Sequence, residues 1–166
     1  MAMVLTSDDF SDGEMLGIDH VLSEAFGFGC AGGNLSPHLK WDGVPNGTES
    51  FAVTCFDPDA PTGSGFWHWV VANIPADVRE LAKGAGDPQG GKMPAGALEV
   101  RTDFSAPGYG GPCPPEGLNV HRYIFSVHAV GMKELPVTAD TSAAIVGFYL
   151  NFNTLDKSSL IGLYKR

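Results

Sequence analysis

Apolar residues gather in four short stretches, residues 51–56, 67–73, 97–102 and 120–130, each bounded by Gly, Pro or Asp and rich in Val, Phe, Ile or Trp. That length, punctuation and side-chain content predict strands. In VHRYIFSVHAV the face begun by Val120 continues with Ile124 and Val130, while Tyr123, Phe125 and Val127 occupy the opposite face. A strand that is apolar on both faces is covered on both sides, so the pattern predicts a sandwich or a closed sheet. Near the C-terminus Ile145, Phe148, Tyr149, Phe152 and Leu155 fall at helical spacing behind Asp140. They predict one helix, capped by that aspartate and laid against the sheet edge. Residues 77–83 read as a short helical turn, LIGLYKR as a last strand, and 84–96, dense in Gly and Pro, as an exposed loop.

Composition narrows this picture. A chain of 166 residues with 43% hydrophobic content can bury one sizeable core, so a single domain over residues 1–166 is expected. The 22 glycines and 12 prolines are spread throughout, as short strands joined by loops require. The net charge of -9, with the lysines and arginines scattered, speaks against nucleic acid as a partner. No basic segment followed by an apolar one opens the chain, and no run is long enough to cross a bilayer. A cytoplasmic protein without a transmembrane segment is expected. Cys30, Cys55 and Cys113 are too few and too far apart for a disulfide framework or a CxxC metal site, and are read as reduced thiols.

Three short motifs carry little chemistry. GFGCAG satisfies G-x-G-x-x-G, but Pro37 blocks the helix a dinucleotide site needs. Ser64 in GSG lacks the spacing of a nucleophile elbow. Cys113 and His121 could form a thiolate and base, yet no third group is evident to orient them.

Two polar clusters are more informative. In CFDPDAPTGSGFWHWVVANIP, Pro58 ends the strand, so Asp57 and Asp59 project from its tip, and Pro61 adds a second rigid point. The next strand opens with His68 between Trp67 and Trp69. Aspartates nearby would fix its tautomer and favour its cation. Downstream, PGYGGPCPPEGLNVHRY runs a Gly- and Pro-dense loop into His121, Arg122 and Tyr123. Successive glycine amides and two imidazoles together suit a small anion. Singly, His68 and His121 would be satisfied core residues, as His20, His38 and His128 are read, and the tryptophans would be packing groups. It is the pairing of the clusters that points to a site. His68, His121 and Asp57 include zinc-ligand types but without dense spacing, so neither a metal nor another cofactor is expected. With no activated nucleophile, the chain reads as a binding protein and not an enzyme.

DPDAP, GFWHWVVANIP, GYGGPCPP and HRY, in this order, resemble the phosphatidylethanolamine-binding protein family, also called Raf kinase inhibitor-like, and especially its bacterial and archaeal branch. The resemblance runs from NLSPHLKWDGVP to the C-terminus. It implies a mainly β fold, a large antiparallel sheet packed on a smaller one with few short helices, and an anion pocket at one end. It places ligand-binding roles on Asp57, Asp59, Ala60, Pro61, Phe66, His68, Gly111, Pro114, Pro115, His121 and Tyr123, with a cis peptide at the Ala60 and Pro61 turn. Phe66 stands where eukaryotic members usually carry tryptophan, and the helix that carries a further pocket residue in animal members has no counterpart in the sequence. The partners implied are small phosphorylated or carboxylate anions, a regulated kinase or protease, and a second copy in a homodimer.

Overall fold

The computed structural model describes residues 2–166. Its strands are β1 (Val4–Thr6), β2 (Glu14–Met15), β3 (Leu39–Asp42), β4 (Ser50–Asp57), β5 (Phe66–Pro75), β6 (Glu80–Leu81), β7 (Leu98–Glu99), β8 (His121–Val130) and β9 (Thr154–Tyr164). One α-helix, α1 (Ala143–Asn153), precedes β9, and two 3-10 turns lie at Ile18–His20 and Glu24–Phe26. The strands form a six-stranded sheet in the order β2-β9-β8-β4-β5-β7 and a three-stranded sheet in the order β1-β3-β6. Pairing is antiparallel except for β2 beside β9. The expected sandwich of a large sheet on a smaller one is the fold.

Period-two alternation builds both of its apolar layers. From β4 and β5, Phe51, Val53, Cys55, Trp69 and Val71 face inward, meeting Leu5, Leu39, Trp41 and Leu81 of the small sheet. Tyr123, Phe125 and Val127 of β8 join them. Ala52, Val70 and Ala72 face outward and are covered by Ala143, Val146 and Leu150 of α1. The large sheet is thus buried on both faces, as the apolar pattern of β8 predicts.

Several local expectations are corrected. The 77–83 segment is not helical, because pairing Leu39 with Leu81 buries that leucine in the small sheet as β6. Within 97–102 only Leu98–Glu99 forms a regular strand. α1 is capped by Ser142, whose side chain accepts from the Ile145 amide at 3.3 Å, and not by Asp140. The helix also lies on the outer face of the sheet rather than at its edge. It buries Ala143, Val146 and Leu150, while Ile145, Phe148 and Phe152 of the predicted stripe remain exposed. Cys30 and Cys113, 83 residues apart, are joined by a disulfide, so only Cys55 keeps a free thiol. Distance in sequence hid a proximity that the fold creates. The described residues contain no cis peptide, so the expected one at Ala60 and Pro61 is absent.

Candidate binding site

The inward faces of β4 and β8 end in polar residues. Asp57 follows Phe51, Val53 and Cys55 on one strand, and His121 precedes Tyr123 and Phe125 on its neighbour. Asp57 and His121 are only 2% and 3% exposed, so burial demands that they satisfy each other. His121 Nδ1 lies 2.8 Å from Asp57 Oδ2, and Asp57 Oδ1 accepts the Asp59 amide at 2.8 Å. Both carboxylate oxygens are therefore engaged within the protein. Asp57 orients the His121 imidazole and also lines the cavity beside it.

His68 reaches the same place by a different device. The β4–β5 ladder pairs Cys55 with Trp69 and then Phe56 with Trp67, leaving His68 as the extra residue of a β-bulge. The bulge breaks the alternation. Trp67 turns to the outer layer while Trp69 stays in the inner one, and His68 is aimed at the end of the inner core. Its Nδ1 meets the Gly110 carbonyl at 2.7 Å, and the Gly110 amide returns a hydrogen bond to the His68 carbonyl at 3.0 Å. The rings of Phe66, Tyr123 and Phe104 stand 4.9, 5.2 and 5.5 Å from the imidazole. Burial pushes the His68 pKa down to about 4, against the opposing pull of the Gly110 and Gly111 carbonyls, Asp57 and Asp103. His68 is neutral near pH 7, and the cationic form favoured by the sequence reading loses to desolvation. Burial and the Asp57 carboxylate likewise push the Tyr123 hydroxyl well above its ordinary range.

Between these groups lies a cavity of about 200 Å³. Its walls include Asp57, Ala60, Pro61, Phe66, His68, Pro114, Pro115, His121 and Tyr123, nine of the residues singled out in the sequence. Asp59 is not among them. Its carboxylate takes Arg122 in a forked pair, Oδ1 to Nη2 at 2.9 Å and Oδ2 to Nε at 3.0 Å, and also accepts the Arg122 amide. These bonds hold its pKa below the ordinary value and clamp the turn to β8. Gly111 is also outside the lining, because its amide donates to Asn34 Oδ1 at 2.8 Å. It must still be glycine, since a Cβ there would overlap the His20 carbonyl oxygen. Amides of this loop are thus spent on the protein instead of on an anion.

Leu22, Phe28, Thr62, Phe104 and Cys113 complete the cavity without having been anticipated. Cys113 arrives through its bond to Cys30, and Phe104 through the packing of Phe26, Phe28 and Phe66 on its ring. Asn34, in a left-handed conformation, holds the loop from both sides by donating to the Tyr109 carbonyl and accepting from Gly111. No local sequence signal marks these residues, because each acts across a long separation. Among the described residues no group of three or more His, Cys, Asp or Glu side chains is arranged to hold a metal ion, and no helix is long and apolar enough to cross a membrane.

Comparison with known proteins agrees with this fold. The profile of the family described as phosphatidylethanolamine-binding protein matches residues 6–165. The chain is 50% identical over 162 residues to the Escherichia coli protein YbhB, covering 98% of this chain and 99% of the relative. It is 49% identical over 164 residues to E. coli YbcL, covering 99% and 88%. The crystal structure of YbcL superimposes with a TM-score of 0.96 at 48% identity, over 100% of this chain and 99% of that one. A homologue from Chlamydia trachomatis gives a TM-score of 0.81 at 26% identity, over 99% and 98%.

Proposed function

This chain belongs to the phosphatidylethanolamine-binding protein family, and on that premise we propose that its end cavity binds a small oxyanion, a phosphoryl or carboxylate group, in a regulatory and non-catalytic role. One observation carries the reading: His68 and His121 both commit Nδ1 to the protein, to Gly110 and Asp57, and so both leave Nε2 for the one cavity they line. Imidazoles held in this way are preorganised hydrogen-bonding groups. The aromatic and proline walls make the lining mainly apolar, which strengthens what the imidazoles do. A non-catalytic role is supported by the lining, whose one sulfur is locked in a disulfide and whose Thr62 hydroxyl donates to the Gly65 carbonyl.

Calorimetric titration with inorganic phosphate, phosphoethanolamine and acetate tests this. Saturable binding that is lost in both His68→Ala and His121→Ala, with the fold intact, is expected. Absence of binding by all three ligands would remove the reading.

A second reading, regulation of a protein partner such as a kinase or protease or pairing with a second copy, draws on the exposed Ile145, Phe148 and Phe152 of α1. Sedimentation of the protein with and without Phe148→Asp tests self-association. For the compartment, the disulfide favours an oxidising environment over the cytoplasm expected above. Fractionation of native cells checks that placement.

A further inference from the structure

The outer face of the large sheet holds a second cavity, of about 410 Å³, beside α1. It shares no lining residue with the end cavity. Strand register builds it in rows. Val70, Thr54, Ser126 and Ser159 stand abreast on β5, β4, β8 and β9. The next row on this face toward Asp57 is Trp67, Phe56 and Ile124, and in the other direction His128 faces Lys157. The bulge at His68 delivers Trp67 to this face, where its ring stands 4.4 Å from that of Phe56. Val146, Gly147, Leu150 and Asn151 supply the helix wall.

This cavity carries more donors than the protein uses. Thr54 is 5% exposed, and its hydroxyl has no partner among the described residues. Ser126 is 3% exposed and shares a single 2.8 Å hydrogen bond with Ser159, so one of the two hydroxyls still has a hydrogen to give. Buried hydroxyls left unpaired are costly, which points to an acceptor from outside the chain. His128 ties Nδ1 to Thr154 Oγ1 at 3.0 Å. Lys157 is the one lysine or arginine in the lining and enters no ion pair, and no Asp or Glu lines the cavity although the chain carries a net charge of -9. Gly147 lies inside α1, where glycine weakens a helix relative to alanine. A Cβ there would meet nothing within 4 Å, so no packing within the protein requires glycine, and its missing side chain keeps the cavity open.

We propose that the outer cavity is a second binding site, for a small monocarboxylate with an apolar body. The body packs on Phe56, Trp67, Ile124 and Val70, and the carboxylate accepts from Thr54, from the Ser126 and Ser159 pair, and from Lys157. One cation matches one negative charge. A dianion such as a phosphate monoester would bring a second charge with no partner among apolar walls. An ammonium group would meet Lys157 and find no carboxylate. At about 3.3 Å per strand residue, Ile124 and His128 are about 13 Å apart along β8, which bounds the length of the ligand. The cavity volume lies within the range of small-molecule sites. This proposal is independent of the oxyanion reading, because the two sites have no residue in common.

The test is calorimetric titration of the full chain, in phosphate buffer, with octanoate and indole-3-acetate and with their neutral counterparts octanol and indole-3-acetamide. The carboxylates are expected to bind about tenfold or more tightly than the neutral compounds. Tighter octanoate supports a chain as the body, and tighter indole-3-acetate a flat ring. Gly147→Leu fills the cavity with a better helix former, so it is expected to abolish binding without lowering Tm. Lys157→Gln is expected to weaken the carboxylates by about fivefold, as for an exposed charge, and to leave the neutral compounds unchanged. Amide NMR of the wild type is a second arm that needs no variant, with ligand shifts expected at Thr54, Ser126 and Gly147. Shifts confined to the end cavity, binding that survives Gly147→Leu, or neutral compounds binding within about threefold of the carboxylates would overturn the proposal. So would no binding of either carboxylate, a result that leaves the oxyanion reading standing.

Discussion

Breaking the Cys30–Cys113 disulfide should cost this protein a large share of its stability. The bond closes a loop of 83 residues. Loop-closure entropy for that length is about 15 cal/mol/K, or about 4.5 kcal/mol at 25 °C. Unfolding entropy of about 2.1 cal/mol/K per residue gives about 0.35 kcal/mol/K for the whole chain, so the expected fall in Tm is about 13 °C. Two arms read the effect: calorimetric melts of the Cys30→Ala/Cys113→Ala variant, and of the wild type with and without reductant. Thiol titration of the denatured, unreduced protein should find one thiol per chain, that of Cys55. A stability loss under about 1 kcal/mol in both arms, or three titratable thiols, would refute the reasoning. The site should respond too. Cys113 is part of the cavity wall beside Pro114 and Pro115, so the reduced protein should bind phosphate more weakly.

Further outcomes follow from charge and packing. Stability should peak near pH 6.5. Burial holds His68 and His128 at about 4, below the 6.5 they regain on unfolding, so the unfolded chain takes up the extra protons and stability is lost as pH falls from about 6.5 toward 4. Glu99, raised by burial from 4.5 to about 8, keeps a proton that the unfolded chain releases, so stability also declines as pH rises from about 4.5 to 8. Two histidines outweigh the glutamate on the acid side, and above pH 6.5 it acts without them. Glu99→Gln should flatten the alkaline limb and gain on the order of 2 kcal/mol at pH 8, and urea melts across pH that leave the limb unchanged would count against this account. Gly111→Ala drives a Cβ onto the His20 carbonyl and should destabilise by about 2 kcal/mol or more, read by chemical denaturation. Arg122→Ala removes a half-exposed pair with Asp59 and should cost less than about 1 kcal/mol, with phosphate affinity unchanged by calorimetry. A large loss of binding there would place Asp59 in the site after all.

Much of this was legible in the chain because it depends on near neighbours. Strands β4, β5 and β8 announced themselves by apolar runs bounded by Gly, Pro and Asp, and β9 was anticipated in its last residues. Asp57 and His121 could be placed at strand ends from their positions alone. The smaller sheet came only from the family resemblance; its strands are not legible in the pattern although LKWD alternates, since four residues give a weak signal and β6 is only two. The exposed stripe of α1 misled because its buried face is carried by Ala143, Val146 and Leu150, which are smaller or fewer than the aromatics on the other side.

By itself the sequence determined the class of fold, the strand-end carboxylates and the residue types that chemistry at the cavity would use. Those follow from periodicity and from rigid prolines, which act over a few residues. Only the tertiary structure decided the roles. A register shift between two strands turned His68 inward and Trp67 outward, against the alternation its neighbours obey. Folding brought Cys30 to Cys113, gave Asp59 to Arg122, and spent the Gly111 amide on Asn34. Local pattern states what a residue can do, but burial and the partner left within reach decide what it does, and both are set by chain segments far away in sequence.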